Sequence, residues 1–195
     1  MLSLEESLKI LKETNALLEG HFILSSGLHS PQYVQCAKLM SKPEKALKIC
    51  ASLSEKIINE FKDFDLVLSP AIGGIVIGYE IGRLLKKETI FSERVDGKFV
   101  LRRDFLIKKN QRVIVVEDVI TTGKSSMECV KLIKRSKATL VGFAAIIDRS
   151  TKKSLKLKKK IISQLKIKVP TYKKNQLPNE LKKIPITTPG SRFIK

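Results

Sequence analysis

The 195-residue sequence predicts an α/β fold: one domain built on a mostly parallel sheet with helices on both faces. Three observations point there. The runs Leu66–Leu68, Val113–Val116 and Leu140–Ile147 are continuously apolar rather than alternating, as strands buried on both faces must be. Segments with helical periodicity separate them, the pattern of a parallel sheet with covering helices. Each apolar run leads into a polar or glycine-rich segment, Ser69–Gly74, Glu117–Ser125 and Asp148–Arg149. In such folds ligands bind at the carboxyl ends of strands.

Taken in order, Ser3–Thr14 carries Leu4, Leu8 and Leu11 at helical spacing, which predicts an opening helix. Gly20–Pro31 gathers glycines, serines and a proline around a short apolar stretch and predicts loop and turn. Pro43 suits a first helical turn, and Ala46, Ile49, Cys50, Leu53 and Ile57 then form one apolar stripe. A strand over Asp65–Ser69 runs through Pro70–Gly74 into a helix ending near Lys86. A second strand, Arg112–Glu117, is followed by Asp118–Thr122 and a helix from Gly123 to about Arg135. The third, Leu140–Ile147, ends at Asp148–Arg149. From Pro170 onward, Pro178, Pro185 and Pro189 predict an irregular or extended cover.

Hydrophobic residues make up 43% and charged residues 29%, the balance of a soluble globular protein. No apolar run is long enough to cross a bilayer, and Met1–Lys12 lacks the apolar core of a secretion signal. The expectation is a cytoplasmic protein. Cys36, Cys50 and Cys129 are widely spaced and odd in number, so reduced, partly buried thiols are expected. Cys36 has no evident partner base. His21 and His29 are too few for a histidine-rich metal site, and His29 is expected to be a loop residue with a local hydrogen bond. The net charge of +19 has three readings: a general lysine bias, attraction of phosphate substrates, or nucleic-acid binding. The first is favoured, because the late lysines, Lys152 to Lys160 and Lys173–Lys174, are not interleaved with aromatics.

The chemistry concentrates in Val113–Ser125. A buried strand delivers Glu117 and Asp118 to the sheet edge, where paired carboxylates are costly unless they meet donors or cations. Sugar hydroxyls are suitable donors. Val119 and Ile120 then lead into Thr121, Thr122, Gly123, Lys124 and Ser125, a hydroxyl-rich turn opening a helix. Unsatisfied N–H groups and the helix dipole favour an anion there, and Gly123 allows close backbone approach. Acids for a diol beside a cradle for a phosphate fit a ribose 5-phosphate. Gly123-Lys124-Ser125 copies the end of a nucleotide-triphosphate P-loop, but that motif needs glycine where Asp118 stands.

This segment resembles the phosphoribosyl diphosphate signature of type I phosphoribosyltransferases: an apolar strand, two acids, two variable residues, Thr-Thr-Gly and a small or hydroxyl residue. Other segments resemble the orotate phosphoribosyltransferases in particular, in a shorter mobile-loop branch. Phe22–Val34 is similar to their substrate loop, Ser69–Gly74 to their diphosphate loop, Phe91–Arg103 to their mobile loop, and Pro189–Arg192 to their tail. Departures exist. Ser25 stands where better-known members carry lysine in the substrate loop, Gly73 or a neighbour replaces a lysine in the diphosphate loop, and the mobile-loop histidine is missing.

The resemblance implies a type I phosphoribosyltransferase fold, with a hood from about residues 1–40 and 170–195 on a core of about 41–169. It implies transfer of a phosphoribosyl group from phosphoribosyl diphosphate to orotate, in pyrimidine (UMP) biosynthesis. Glu117, Asp118 and Lys98 would be catalytic. Arg94 and Glu117 to Ser125 would bind phosphoribosyl diphosphate, Arg94 being the best loop cation for the diphosphate ahead of Lys98, Arg102 and Arg103. Thr121 and Arg149 would bind orotate, Arg149 pairing its carboxylate through two parallel hydrogen bonds. Without the resemblance, Arg149 reads as a surface ion pair with Asp148 or another acid. Mg²⁺ would be held mainly through phosphoribosyl diphosphate, with no direct protein ligand. A homodimer with shared sites is implied, with no membrane and no nucleic-acid partner. The alternatives are a purine-type phosphoribosyltransferase and a non-catalytic nucleic-acid-binding regulator of the same fold.

Overall fold

A computed structural model describes residues 1–24, 26–151 and 159–188. The order is α1 (Leu4–Glu13), β1 (Leu17–Ile23), β2 (His29–Val34), α2 (Cys36–Met40), α3 (Pro43–Glu60), β3 (Leu66–Pro70), α4 (Gly73–Leu85), β4 (Glu88–Val95), β5 (Lys98–Leu101), β6 (Arg112–Ile120), α5 (Lys124–Arg135), β7 (Thr139–Asp148), β8 (Ile161–Lys166), α6 (Asn179–Lys182) and β9 (Ile186–Thr187). A 3-10 turn, Lys174–Gln176, precedes α6.

The main sheet has the order β5-β4-β3-β6-β7-β8. It is parallel except where β5 turns back against β4. Strand residues alternate between two cores. Val67, Ile114, Val116, Ala144 and Ile146 pack with α1, α3 and α4, including Leu11, Ile49, Leu53, Ile57, Ile77 and Ile81. Leu66, Leu68, Val113, Val115, Phe143 and Ala145 pack with Cys129, Val130, Leu132 and Ile133 of α5. This two-faced burial is why the strands carry no polar alternation. The stripe predicted after Pro43 is the buried face of α3.

A smaller sheet, β2-β1-β9, joins the N-terminal hairpin to the C-terminal segment. Of the stretch expected as loop and turn, Gly20–Ile23 and His29–Pro31 are strand, while the described residues between them turn as expected. Leu17 to Ile23 pairs with His29 to Val34 through a register shift between Glu19 and Phe22, and Phe22 meets Tyr33 at 5.8 Å. The bulge hides the period-two pattern that would have announced a strand. Gly27, at φ +77°, turns the chain. His29 consequently lies on a strand, not a loop, and shares a 2.7 Å hydrogen bond with His21. The segment likened to a mobile loop is also a hairpin, β4–β5, turning at Asp96–Gly97 with both residues at positive φ. An Asp-Gly pair is a favoured two-residue hairpin turn. The expected cover after Pro170 contains the 3-10 turn, α6 and β9. Ser25, Lys152–Lys158 and Pro189–Arg192 lie outside the described residues.

Candidate active site

Three parallel strands deliver their carboxyl ends to one edge of the sheet. β3 ends in Pro70 and passes through Ala71–Ile72 to α4, while β6 ends in Glu117 to Ile120. β7 ends at Asp148, opposite Ile120 in register. The backbone N–H of Arg149 donates to Ile120 O at 2.8 Å, hanging the Arg149 strand end beside the Thr121 turn. A Cβ placed on Gly73 would lie 2.6 Å from Asp118 Oδ2, and one on Gly74 would lie 3.2 Å from Val116 O. The β3–α4 loop thus closes onto the acid pair only because those positions lack side chains.

Glu117, Val119, Ile120, Thr121, Thr122, Gly123, Lys124 and Ser125 line one cavity of about 180 Å³. Asp118 flanks it, half-buried, and accepts from the Val119 N–H at 2.8 Å. The helix predicted from Gly123 begins one residue later, at Lys124, because Gly123 is the N-cap at φ +72°. Glycine has no side chain to cap α5, so the first-turn N–H groups must find other acceptors.

Burial governs the electrostatics. It pushes the Glu117 carboxyl up to about 7, against the pull of hydrogen bonds from Ser126 and helped by the neighbouring Asp118 charge. Burial raises Asp118 as well. A buried acid pair of this kind holds a proton until donors or a cation arrive. The Cys36 thiol lies 3.9 Å from Asp118 O, and burial drives it well above the ordinary thiol range. That environment does not make a nucleophile.

Arg149 does not pair with Asp148. The Asp148 carboxylate is taken by the Ser150 N–H at 2.8 Å and by Lys166 at 3.2 Å. Among the described residues, buried Arg149 Nε has no hydrogen-bond partner, and burial draws the guanidinium below its usual range. A buried guanidinium N–H without an acceptor is unfavourable, and an anionic ligand would relieve it.

The hairpin cations go elsewhere in this chain. Arg94 bonds Glu128 of α5 at 3.1 Å, stacks 4.2 Å above the Phe99 ring and also donates to Gly97 O. Arg103 forks onto Glu93 at 3.0 and 3.1 Å. Lys98 lines a groove of about 710 Å³ between the hairpin tip and α5, with Thr122 and Lys124 at one end and Arg135 at the other. One site residue was missed in the sequence. Ser126, fully buried just past the motif, donates its hydroxyl to Glu117 Oε1. Its only signal was a further hydroxyl in the helix's first turn.

The family profile described as "Phosphoribosyl transferase domain" matches residues 40–176. An orotate phosphoribosyltransferase of Parvibaculum lavamentivorans is 46% identical over 191 residues, 97% of this chain and 98% of that protein. One of Erythrobacter litoralis is 43% identical, covering 96% of this chain and 97% of its own. Among solved structures, orotate phosphoribosyltransferase from Aeropyrum pernix superposes with a TM-score of 0.69 at 23% identity, over 82% of this chain and 92% of that one. Adenine phosphoribosyltransferase from Thermoanaerobacter pseudethanolicus gives 0.60 at 16% identity, over 70% and 88%. The fold is common to both activities.

Proposed function

Because the chain belongs to the phosphoribosyl transferase domain family and is an orotate phosphoribosyltransferase, we propose that the cavity at the start of α5 binds phosphoribosyl diphosphate and that Arg149 receives orotate. The reaction moves the 5-phosphoribosyl group to orotate, giving orotidine 5′-phosphate and diphosphate in UMP biosynthesis. The observation that carries the site assignment is the gathering of Glu117 and Val119 to Ser125 around one cavity, with Asp118 at its flank.

Asp118 and Glu117 accept hydrogen bonds from the ribose hydroxyls. The α5 start and the Thr121–Ser125 turn hold the 5-phosphate through N–H and hydroxyl donors. Diphosphate leaves C1, the ring gains oxocarbenium character, and the pyrimidine nitrogen attacks from the opposite face. No protein nucleophile is required, and the protein contributes positioning and charge stabilisation. Thr121 donates to the pyrimidine, and Arg149 meets the orotate carboxylate with its unpartnered Nε. Beside Lys124, the cavity's Glu117 carboxylate and Thr121, Thr122 and Ser125 hydroxyls would suit Mg²⁺ arriving with phosphoribosyl diphosphate. Bound there, the ion would supply charge neutralisation to the diphosphate.

The enzyme works in the cytoplasm as a homodimer with shared sites. Ile72, which precedes α4, and Val76 and Tyr79 on it are 86%, 53% and 64% exposed and lie along one side of the helix. The nearby cation Arg83 is neutralised by Glu80 at 2.8 Å. Two copies each carrying +19 repel least at such a locally neutral, apolar face. The hairpin then offers Arg94 and Lys98 to the neighbouring subunit's diphosphate. The described residues of about 1–40 and 170–188 serve as the hood over the core.

Orotate's ultraviolet absorbance follows turnover, with uracil, adenine and hypoxanthine as competing acceptors. Arg149→Ala raises the KM for orotate on the order of a hundredfold, as loss of a bidentate charged pair should, and leaves that for phosphoribosyl diphosphate within a few-fold. Equal effects on both substrates, or equal use of a base lacking the carboxylate, would contradict this assignment.

A further inference from the structure

We propose that Ser126 is a positioning residue, whose hydroxyl locks the Glu117 carboxylate beneath the first turn of α5 and so ties the acid pair to the phosphate cradle. The inference rests on the ribose 5-phosphate reading of the cavity.

Ser126 stands at the third position of α5, in the turn that Gly123 has no side chain to cap. Glu117, at the end of β6, accepts from the Ser126 hydroxyl at Oε1. Ser126 is 0% exposed and Glu117 7%. A buried hydroxyl and a buried carboxyl are each unfavourable alone, and here each satisfies the other. The bond spans the Asp118 to Ser125 turn, so the strand that presents the acids and the helix start that would grip phosphate move together. A ribose 5-phosphate has a fixed span between its diol and its phosphate, which makes that rigidity useful.

The surroundings of Glu117 sharpen the role. Asp118 beside it on β6 is negative. On α5 the neighbouring titratable group is the Cys129 thiol, pushed up to about 12 by burial, while β7 offers Ala145 opposite. The Ser126 hydroxyl bond therefore favours the ionised carboxylate which a sugar diol requires. Oε2 is left for the ligand.

The test compares the full-length wild type with Ser126→Ala and Ser126→Thr. Ser126→Ala raises the KM for phosphoribosyl diphosphate on the order of tenfold, the scale of one hydrogen bond to a charged group, and leaves the KM for orotate nearly unchanged. Its acid limb of kcat/KM for phosphoribosyl diphosphate moves up by about one pH unit, because the carboxyl has lost a donor that favours ionisation. Ser126→Thr restores the limb. If Ser126→Ala does not fold, Ser126→Cys, similar in size and a weaker donor, should show the same upward displacement of the limb. A variant of either kind with lowered thermal stability but an unmoved limb and unmoved KM overturns the proposal. Calorimetric titration with phosphoribosyl diphosphate and Mg²⁺ separates the two levels. A wild type that binds none sinks the cavity assignment itself, whereas a wild type and Ser126→Ala binding equally sink only the role of Ser126.

Discussion

Glu117 sets a pH signature. Burial and the adjacent Asp118 charge raise its carboxyl from 4.5 to about 7, despite the Ser126 bonds. A carboxyl whose folded-state pKa exceeds its unfolded value keeps its proton in the native state. Between about 4.5 and about 7 the native state therefore binds more protons than the unfolded chain, and stability falls as pH rises through that window. The decline is on the order of 3 kcal/mol, since a tenfold change in proton affinity is worth about 1.4 kcal/mol. Glu117→Gln keeps an oxygen to accept from Ser126 and cannot ionise, so thermal melts of the ligand-free variant should show a flatter decline over the same window. A decline as steep as that of the wild type would place the proton elsewhere. The sequence made the acid pair legible, since two carboxylates after a buried strand call for donors. It did not make Ser126 legible. Nothing in the spacing says that a serine in the first helical turn reaches back under the strand, and the contact exists only once β6 and α5 are folded together. Arg149 was half-legible: its place at the strand end follows from the sequence, but its unpartnered Nε depends on Ser150 and Lys166 having claimed Asp148.

Among elements, the β3–α4 loop and the β6–α5 turn are two halves of one cradle. Their contact is tight at Gly73, where a Cβ would sit 2.6 Å from Asp118 Oδ2 and 2.9 Å from its Cγ. Gly73→Ala must turn the Asp118 carboxylate aside. We expect kcat/KM for phosphoribosyl diphosphate to fall on the order of tenfold, as small misplacements of catalytic groups do, with the melting temperature nearly unchanged. Unaltered kinetics would mean that Asp118 works in another rotamer. At this scale the central strands were readable because burial on both faces writes itself as continuous apolar runs: Leu66–Leu68, Val113–Val116 and Leu140–Ile147 all became strands. The two hairpins were not read from pattern. In β1–β2 a bulge near Gly20 breaks the alternation, and in β4–β5 the burial is one-sided and the tip, Val95 to Lys98, is exposed. An edge hairpin of mixed burial offers a weaker period than a central strand.

For the whole molecule, charge and shape set the terms of assembly. A chain of +19 repels its copy over most of its surface, which gives the apolar face of α4 its weight. Tyr79→Asp places a charge on that face, repeated across a two-fold contact. Sedimentation at fixed protein concentration should show a shift from dimer to monomer, with dissociation at least about tenfold more favourable. Because the diphosphate cations are proposed to come from the neighbouring subunit, turnover should fall with the monomer fraction. A variant that remains dimeric would remove α4 from the interface. The lysines among the described residues lie mostly exposed along helices and loops.

The proposed site stands or falls with where the activated sugar sits. A crystal structure with phosphoribosyl diphosphate and Mg²⁺ tests this most directly. It should place the ribose hydroxyls within hydrogen-bonding reach of Asp118 and Glu117, with the 5-phosphate against the backbone of Thr121 to Ser125. A fully occupied ligand bound elsewhere, with the cavity at the start of α5 left empty, would contradict it.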